Sequence, residues 1–508
     1  MNNISLLNVQ GSGLLGVVGV SMRLFSTLAK EKVNVILISQ ASSEHSICTA
    51  IESEAAITAK SALEKEFIHE IKDELIDDIK IQQGLSIVAV VGDGMKHHPG
   101  TSGRMFNALG KNGVNVVAIA QGSSERNIST VIQQSDVSKA LNALHDAFFL
   151  SDKKTLPVFL VGTGLIGNTL ITQIKEQFQK LADELKLEVK IVGIANSKKM
   201  LFQEDGLVLD GSIERMKALG EEMRLENYLT NMISLNLPNS VFVDCTSSTE
   251  VAAQYERILA ANISIVTPNK KANSSEWSYY QQLKSVSRRK GVRFLYETNV
   301  GAGLPVINTL NDLLLSGDKI IQIEGVLSGT LNYIFSTYAV GQNFSDVVAE
   351  AKAKGYTEPD PRDDLSGMDV ARKILILARE AGTAIELADI QIENLVPEDC
   401  RGAMSADEFL EKLKQHDSHF DKLRGIAEAK GEKLRYQAIF HHGKAKVQLG
   451  SVNSHHPFYS LKGSDNIILI TTERYHDRPM VIRGPGAGAE VTAAGVFADI
   501  IRIGNYMN

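Results

Sequence analysis

Apolar and polar positions alternate in short runs through the first 150 residues, and segments with a helical period separate these runs. The clearest stretch predicts a strand, a helix, two strands and a helix, at Ser86–Val91, Ser102–Lys111, Asn115–Gln121, Ile128–Gln133 and Ser138–Ala147. This order of elements predicts a small α/β unit.

The same unit occurs twice, because Val33-Asn34-Val35 and Gln40–Ile47 match Val114-Asn115-Val116 and Gln121–Ile128 at a spacing of 81 residues. Such repetition indicates duplicated units over residues 1–150. The pattern resembles tandem ACT domains, the amino-acid-sensing modules of biosynthetic enzymes, whose effectors bind where the first loop meets a partner's strands. The resemblance makes Gln40 and Gln121 candidate effector contacts. The alternative is that each glutamine is a polar strand end facing solvent.

A nucleotide-binding pattern follows the short polar linker 151–155. The buried-strand run Leu156–Val161 leads into a glycine-rich turn and a predicted helix, Asn168–Lys180. Glycines in this context allow a tight turn and close approach of a pyrophosphate to the helix N-terminus. We therefore predict that a dinucleotide contacts Gly162, Thr163, Gly164, Leu165, Ile166 and Gly167. A plain strand-to-helix turn is the alternative.

The second strand of this unit, Val189–Ala195, ends in Asn196, Ser197, Lys198 and Lys199. An NAD-specific site usually carries an acid there to hold the ribose hydroxyls. Two lysines and a serine suit a 2′-phosphate instead, so we expect NADP(H) to be preferred, with NAD(H) possible.

Two further apolar runs, Val241–Asp244 and Ile263–Val266, also end in polar loops. The carboxyl ends of such strands face the nucleotide crevice. We therefore predict cofactor contacts at Thr246, Ser247 and Lys270.

The later part of the chain alternates again, at Ile320–Leu327, Leu434–Phe440, Lys446–Leu449 and Asn466–Thr471. These runs predict a largely antiparallel sheet, covered on one side by helices such as Val370–Ala381, and this sheet is a plausible dimer surface. We expect three parts: the repeat (1–150), a Rossmann-type α/β domain (155–300, rejoined by 484–508 through a helix at Val491–Ile503), and an inserted α+β substrate and dimerisation domain (301–483).

Composition narrows the functional class. The chain has 508 residues, 44% of them hydrophobic, and a formal net charge of −7 with acids and bases interspersed. That balance argues against a nucleic-acid partner or an anionic membrane surface. Cys48, Cys245 and Cys400 are too far apart for a disulfide framework or a metal motif, and there is no cleavable leader or membrane-length apolar run. We expect a cytoplasmic protein.

The segment Gly355–Lys373 concentrates acids, prolines and glycines before an apolar helix. Ser366 suits an N-cap, and a helix starting near Gly367 places Asp369 and Lys373 four residues apart on one face. An ordinary ion pair on a solvated helix is the alternative.

Six motifs occur in the order found in homoserine dehydrogenases, and the resemblance covers residue 155 to the end. They are Gly162–Gly167, Thr267–Lys271, Glu297–Pro305, Ser328–Ile334, Gly355–Lys373 and Gly484–Thr492. With the repeat in front, the chain resembles the C-terminal part of bifunctional aspartokinase/homoserine dehydrogenases. No aspartokinase motif is recognisable, so we expect no phosphoryl transfer by this chain.

The resemblance implies reversible NAD(P)H-dependent reduction of L-aspartate 4-semialdehyde to L-homoserine. Lys373 and Lys270 match the two lysines of the family's site. We expect Lys373 to exchange the proton and Lys270 to fix the carbonyl and the nicotinamide side. A developing alkoxide needs both a proton and a positive field, and partial desolvation would lower a lysine pKa enough for exchange near neutrality.

The resemblance also implies that Glu358 and Asp369 hold the α-ammonium group of the substrate. We expect the substrate carboxylate at Gly329 and Thr330, near the start of a predicted helix. Three other acids, Asp360, Asp363 and Asp364, we interpret as structural.

A monovalent metal, sodium, is implied at Glu297 and the carbonyls of Val300, Ala302 and Leu304. A hinge between the two domains is an alternative that is compatible with it. Gly355 and Gly488 match positions near the nicotinamide.

We expect a homodimer or homotetramer, and the repeat suggests threonine as the effector. Two rival functions stay open. One is a thiol-dependent semialdehyde dehydrogenase with Cys245 as nucleophile. The other is a non-catalytic amino-acid sensor.

Overall fold

The structure is a computed structural model that describes residues 1–40, 45–149 and 154–506. The repeat positions Ala41–Glu44 and the linker residues Ser151–Lys153 lie outside the described residues. The chain divides into two compact units, Met1–Lys154 with Ser234–Asn239, and Thr155–Ile233 with Ser240–Asn508.

The first unit contains a six-stranded sheet and five α-helices within its described residues. Its strands are β1 (Ile4–Gln10), β2 (Val35–Gln40), β3 (Ser46–Glu52), β4 (Lys80–Val91), β5 (Val116–Gln121) and β6 (Asn127–Gln133). Its helices are α1 (Val20–Lys30), α2 (Ala56–Glu66), α3 (Ile68–Lys72), α4 (Thr101–Lys111) and α5 (Val137–Phe148).

The sheet order β2-β3-β1-β4-β6-β5 places the two repeats side by side, with β1 and β4 joining them. Leu85 pairs with both Ile4 of the first repeat and Gln133 of the second, so strand β4 serves both. Each repeat buries its own helix-facing core, around Leu24 in one and Leu109 in the other. The predicted tandem α+β repeat is confirmed, and β4 begins six residues before the predicted strand.

The nucleotide half of the second unit is an α/β sheet with the order β10-β9-β8-β7-β11-β12-β13. Its strands are β7 (Lys154–Val161), β8 (Leu187–Ala195), β9 (Lys199–Phe202), β10 (Glu221–Glu222), β11 (Val241–Asp244), β12 (Ser264–Val266) and β13 (Phe294–Leu295). Its helices are α6 (Leu165–Glu184), α7 (Ser212–Leu219), α8 (Leu225–Leu235), α9 (Thr249–Ala252), α10 (Tyr255–Ala260) and α11 (Trp277–Lys290). The predicted Rossmann-type domain is confirmed, and α6 starts three residues earlier than expected.

The inserted half follows β13 and is built on a second sheet, with the order β15-β17-β16-β14-β18-β19. Its strands are β14 (Ile320–Val326), β15 (Gln391–Ile392), β16 (Lys433–His441), β17 (Lys444–Val452), β18 (Asp465–Thr472) and β19 (Met480–Pro485). Its helices are α12 (Ile307–Leu315), α13 (Gly329–Thr337), α14 (Phe344–Ala353), α15 (Pro361–Leu365), α16 (Met368–Glu380), α17 (Glu398–Arg401), α18 (Ala406–Leu413) and α19 (Asp417–Ala429). All pairings except β15 with β17 are antiparallel, as the alternating runs predict.

The last helix, α20 (Ala489–Asn505), returns to the nucleotide half, where Val496 and Ile500 join a core formed by Leu160 and Leu170. This return of the chain was expected, because the apolar positions of α20 need a partner face. Among the described helices, none is both long enough and apolar enough to cross a membrane.

The start of α16 positions the acid and lysine of the segment Gly355–Lys373. Gly367 is the N-cap residue with φ 74°, and a side chain there would overlap the hydroxyl of Tyr436. Only glycine meets both conditions easily. The N-cap expected at Ser366 is therefore one residue off, although the Ser366 hydroxyl does accept the Met368 amide at 3.3 Å.

Candidate active site

The glycine-rich turn between β7 and α6 has the shape of a dinucleotide cradle. Gly162 has φ 95°, and a side chain there would lie 2.7 Å from the carbonyl carbon of Cys245, whereas Gly164 faces open space. The Thr163 hydroxyl is buried and has no hydrogen-bond partner among the described residues. A close backbone approach, a free helix N-terminus at Leu165 and an unpaired hydroxyl fit a pyrophosphate.

At the end of β8, the side chain of Asn196 shapes the turn. Its Oδ1 accepts the amides of Lys198 and Lys199, both at 2.8 Å. Lys199 Nζ donates to the Gly220 carbonyl at 2.8 Å, while Ser197 and Lys198 are exposed. Ser197 and Lys198 are therefore the groups accessible to a 2′-phosphate here.

Lys270 and Lys373 converge on one carboxylate, Asp369. Lys373 Nζ lies 2.8 Å from Asp369 Oδ2, and Lys270 Nζ pairs with Oδ1. Lys373 also donates to the main-chain carbonyl of Leu327 at 2.7 Å, and its side chain is only 12% exposed. The structure thus brings together a lysine from the loop after β12, a lysine and an acid from α16, and a carbonyl from the end of β14.

The titration of this cluster follows from burial and charge. Burial would raise the pKa of the Asp369 carboxyl, but the positive charges of Lys373 and Lys270 outweigh it and hold that pKa well below its usual range. Burial, and then the charge of Lys373, lower the pKa of the Lys270 ammonium, although Asp369 opposes the change. Asp369 therefore stays ionised at neutral pH and orients both amines.

Asp364, which the sequence led us to interpret as structural among the four other acids of the segment Gly355–Lys373, is a further candidate by its surroundings. Its Oδ2 accepts the amide of Glu358 at 2.8 Å, and its carboxyl neighbours the Thr330 hydroxyl. Burial, and then the charges of Glu358 and Asp369, raise the pKa of Asp364.

The other acids of the segment do not share this setting. Asp360 caps α15 and pairs with Arg362, as expected. The carboxylate of Glu358 is exposed, and Gly355, with φ 70°, also faces open space.

Gly329 and Thr330 begin α13, as the predicted carboxylate site requires. The Ser328 hydroxyl accepts the Leu331 amide at 3.2 Å, so one of the free amides of this helix is already used. The Thr330 hydroxyl donates to the Tyr356 carbonyl at 2.6 Å, which ties α13 to the segment that carries Glu358.

The glycine-rich turn at Glu297–Pro305 uses its acid in an unexpected way. Both carboxylate oxygens of Glu297 accept donors from the start of α12: the amides of Val306 and Ile307 at 2.6 Å, the amide of Asn308 at 2.9 Å and the Asn308 side chain. Any cation contact by Glu297 is thus left to its main-chain carbonyl.

The backbone beyond Glu297 is tightly curved, since Gly301 and Ala302 both have positive φ, at 77° and 53°. This curvature can bring carbonyls of the turn together around a cation.

The Asp499 carboxylate accepts the Glu297 amide at 3.1 Å, and burial raises the pKa of Asp499 to about 7.

Gly488 is the N-cap residue of α20, with φ 129°, next to the nucleotide half. Gly486 packs directly against the side chain of Asn466, whose amide donates to the same Leu327 carbonyl as Lys373 does, at 3.2 Å.

The thiol of Cys245 does not suit a nucleophile. Burial, and then the adjacent charge of Asp244, raise the pKa of this thiol far above neutrality. The thiolate needed for attack on an aldehyde is therefore scarce at physiological pH.

The two candidate effector residues lie in the first unit, at the exposed ends of β2 and β5. Gln40 pairs with Ile47 and Gln121 pairs with Ile128, in matching registers. Gln121 Oε1 also accepts the Ser102 hydroxyl at 3.1 Å. Within the described part of the chain, neither glutamine lies in a cluster of charged side chains like the one around Asp369.

Comparisons with known proteins agree with this architecture. Two homoserine dehydrogenase family models match: the NAD-binding domain at residues 162–297 and the homoserine dehydrogenase domain at residues 305–501. An ACT-domain model matches twice, at residues 7–67 and 88–148.

Among relatives, a bifunctional aspartokinase/homoserine dehydrogenase from Arabidopsis thaliana is 46% identical over all of this chain, which spans only 56% of that protein's length. A homoserine dehydrogenase from Schizosaccharomyces pombe is 40% identical over 70% of this chain and 96% of its own length.

Among solved structures, a Candida auris protein of unknown function is 39% identical, with a TM-score of 0.64, over 70% of this chain and 99% of its own. A hyperthermophilic archaeal homoserine dehydrogenase in complex with NADPH, 23% identical and with a TM-score of 0.55, covers the same 70% and 99%, and supports the fold. The chain therefore belongs to the homoserine dehydrogenase family, and with its two ACT-domain matches it corresponds to the C-terminal part of bifunctional aspartokinase/homoserine dehydrogenases.

Proposed function

We propose that this chain is a homoserine dehydrogenase, which reversibly reduces L-aspartate 4-semialdehyde to L-homoserine with NAD(P)H and prefers NADP(H). The observation that carries the proposal is the pair of lysines held on the two oxygens of Asp369. The named activity of the Schizosaccharomyces pombe relative supports the same reaction.

When bound, the nicotinamide supplies a hydride to the aldehyde carbon or removes one from the alcohol carbon. Lys373 is proposed to hold the proton that the substrate oxygen gains in reduction. An ammonium has three N–H groups. Two of those of Lys373 are directed to the Leu327 carbonyl and to Asp369. The remaining N–H is the one available to the substrate oxygen.

Lys270 adds the second positive charge at this oxygen. A developing alkoxide is stabilised by preorganised positive groups more strongly in a partly desolvated site than in water. The lowered pKa of Lys270 supports such desolvation and makes Lys270 the alternative proton carrier.

The acids of the site divide into two roles in this proposal. Each carboxylate oxygen of Asp369 pairs with one lysine. The proposed role of Asp369 is therefore to orient both lysines and to contribute negative charge near the α-ammonium. We propose that Glu358 and Asp364 bind that ammonium directly, which the hydrogen bond from the Glu358 amide to Asp364 supports, and that Gly329 and Thr330 at the start of α13 bind the carboxylate.

For the cofactor, we assign the pyrophosphate to the cradle Gly162–Gly167 and the nicotinamide side to Thr246, Ser247, Lys270, Gly355 and Gly488. The preference for NADP(H) rests on the exposed Ser197 and Lys198, which lie beside the turn held by Asn196.

A sodium ion is proposed at the main-chain carbonyls of Glu297, Val300, Ala302 and Leu304. The curved backbone at Gly301 and Ala302 supports this, and the capping of α12 by the Glu297 carboxylate keeps the turn rigid.

We propose threonine as the effector of the ACT unit, with Gln40 and Gln121 as contacts, and a homodimer or homotetramer assembled in part through the β14–β19 sheet. All three cysteines are free, which suits a reducing compartment such as the cytoplasm.

The test is a spectrophotometric assay of the purified chain with homoserine and NADP, in which reduced cofactor absorbance reports turnover. Steady turnover that needs both substrates is expected. No turnover in either direction, with intact folding by circular dichroism, would leave the non-catalytic sensor as the better account.

A further inference from the structure

A buried carboxylate that has no part in the proposed chemistry, Asp244, lies at the carboxyl end of β11 and is 0% exposed. Three donors meet it: the Thr246 amide at 2.7 Å, the Tyr255 hydroxyl at 2.6 Å and the Asn269 side-chain amide at 2.9 Å. An ionised carboxylate only accepts hydrogen bonds, and each of these three groups donates one. The carboxylate is therefore satisfied in its charged form, although burial raises the pKa of Asp244.

Two of the three Asp244 donors come from different loops that are expected to face the nucleotide crevice, and the third, Tyr255, begins α10. Thr246 belongs to the loop after β11, where cofactor contacts are expected, and Asn269 precedes Lys270 in the loop after β12. Asp244 thus joins the cofactor loop to the lysine loop through one side chain.

Asn269 completes this connection, because every polar atom of its side chain is used. Its amide nitrogen donates to Asp244 and to the Ser248 carbonyl at 2.8 Å, and its Oδ1 accepts the Lys271 amide at 3.1 Å. The residues on both sides of Lys270 are therefore held by the same network.

Thr267 adds a second link to the backbone of β11. Its hydroxyl donates to the Asp244 carbonyl at 2.9 Å and accepts the Asn269 amide at 2.8 Å. Like Asp244, Thr267 is 0% exposed, so water cannot replace these bonds without disturbing the core.

We propose that Asp244 is a positioning residue that fixes Lys270 relative to the cofactor loop Thr246–Ser248. The inference rests on the proposed function for the roles of Lys270 and of that loop. It predicts that loss of the carboxylate disturbs dinucleotide binding and turnover together, while the homoserine contacts on α15 and α16 stay intact.

The main variant is Asp244→Asn, which keeps the shape but replaces one acceptor oxygen with a donor. We expect kcat to fall about tenfold or more and the KM for NADP to rise about fivefold or more, with the KM for homoserine within about twofold. A residue that matters only for folding would lower the melting temperature and leave both KM values unchanged.

Two further variants compare a partial loss of the Asp244 hydrogen bonds with a control. Tyr255→Phe removes one of three donors and should give a smaller change in the same direction. Tyr279→Phe is the matched control, because its hydroxyl donates to the Ala252 carbonyl at 2.8 Å, outside the network, and it should behave as wild type.

The decisive comparison is a double-mutant cycle of Asp244→Asn and Asn269→Ala. If both act through their shared hydrogen bond, the double variant should lose little more than the worse single variant. Additive losses, or an unchanged KM for NADP in Asp244→Asn and Tyr255→Phe alike, would overturn the proposal. If Asp244→Asn does not fold, Asn269→Ala and Tyr255→Phe must show the same split between the two KM values.

NADPH binding gives a readout that does not depend on turnover. The chain has one tryptophan, Trp277, at the start of α11 in the same unit, so quenching of its fluorescence reports a single position. Weaker NADPH binding in Asp244→Asn supports the inference even if homoserine is not the substrate, whereas absence of turnover in the wild type counts only against the proposed function.

Discussion

The site around Asp369 and the glutamine positions of the ACT unit differ in how much of a binding site the chain builds by itself. Around Asp369, two lysines, an acid and a main-chain carbonyl from three separate segments meet in a half-buried cluster. At Gln40 and Gln121, single polar residues end exposed edge strands. Proton transfer needs groups fixed before the substrate arrives, whereas an effector can complete a looser site by its own contacts.

The largest expected effect comes from removing the amine at the centre of the built site. Lys373→Ala should lower kcat about a thousandfold, because it removes the proposed proton donor. NADPH binding, measured by Trp277 fluorescence, should stay within about twofold of wild type. Lys319→Ala is the control, since the Lys319 side chain is 75% exposed and pairs with the surface residue Glu473. If kcat of Lys373→Ala falls by less than about tenfold, Lys270 or water must be the proton donor instead.

A smaller but more informative effect is expected for Asp369→Asn, which keeps both lysines but removes the charge between them. Misplaced amines should reduce kcat/KM about a hundredfold. Asp369 opposes the lowering of the Lys270 pKa, so its loss should lower that pKa further. A protonated Lys270 is needed to stabilise the alkoxide, so the alkaline limb of the pH profile of kcat/KM should move to lower pH. A limb that stays in place or moves upward would contradict this electrostatic account.

The next prediction concerns stability at the turn before α12. Glu297→Gln replaces a carboxylate that accepts donors at both oxygens with an amide that offers only one acceptor. The free energy of unfolding in urea should fall by about 2 kcal/mol. Glu490→Gln, at the first turn of α20, is the control and should change stability by less than about 0.5 kcal/mol. Equal stability of Glu297→Gln and wild type would show that the cap contributes little.

The smallest effects are expected in the ACT unit. Gln121→Ala and Gln40→Ala should each weaken threonine binding about fivefold to tenfold, because each removes one side-chain hydrogen bond from an exposed site. Titration calorimetry of the whole chain measures this directly. If wild type gives no threonine signal, the effector assignment is wrong; if either variant binds as wild type, that glutamine is not a contact.

Much of the architecture could be predicted because periodicity is local. The repeat at 81 residues, the glycine turn after β7 and the alternating strands of the inserted sheet all appear in the structure at nearly the predicted positions. The boundaries shifted where tertiary contacts decide, as at α16, where the hydroxyl of Tyr436 selects Gly367 as the N-cap residue.

The candidate site was harder to predict, because its geometry depends on segments far apart in sequence. Sequence reasoning identified Lys270, Lys373 and Asp369, but it could not show that Asp369 binds both amines, nor that the Leu327 carbonyl does part of the orienting. The sequence did not single out Asp364 or Asp244 for a related reason, since the donors that meet each carboxylate come from residues brought together only by the fold.

The most direct test of the account is a crystal structure of the chain with NADP and homoserine bound. It should place Lys373 Nζ within about 3 Å of the homoserine hydroxyl oxygen, on the side opposite the nicotinamide or beside it, with Asp369 still between the two lysines. A complex in which the hydroxyl oxygen lies beyond hydrogen-bond reach of Lys373, while the lysine still points to Leu327 and Asp369 alone, would contradict the central claim.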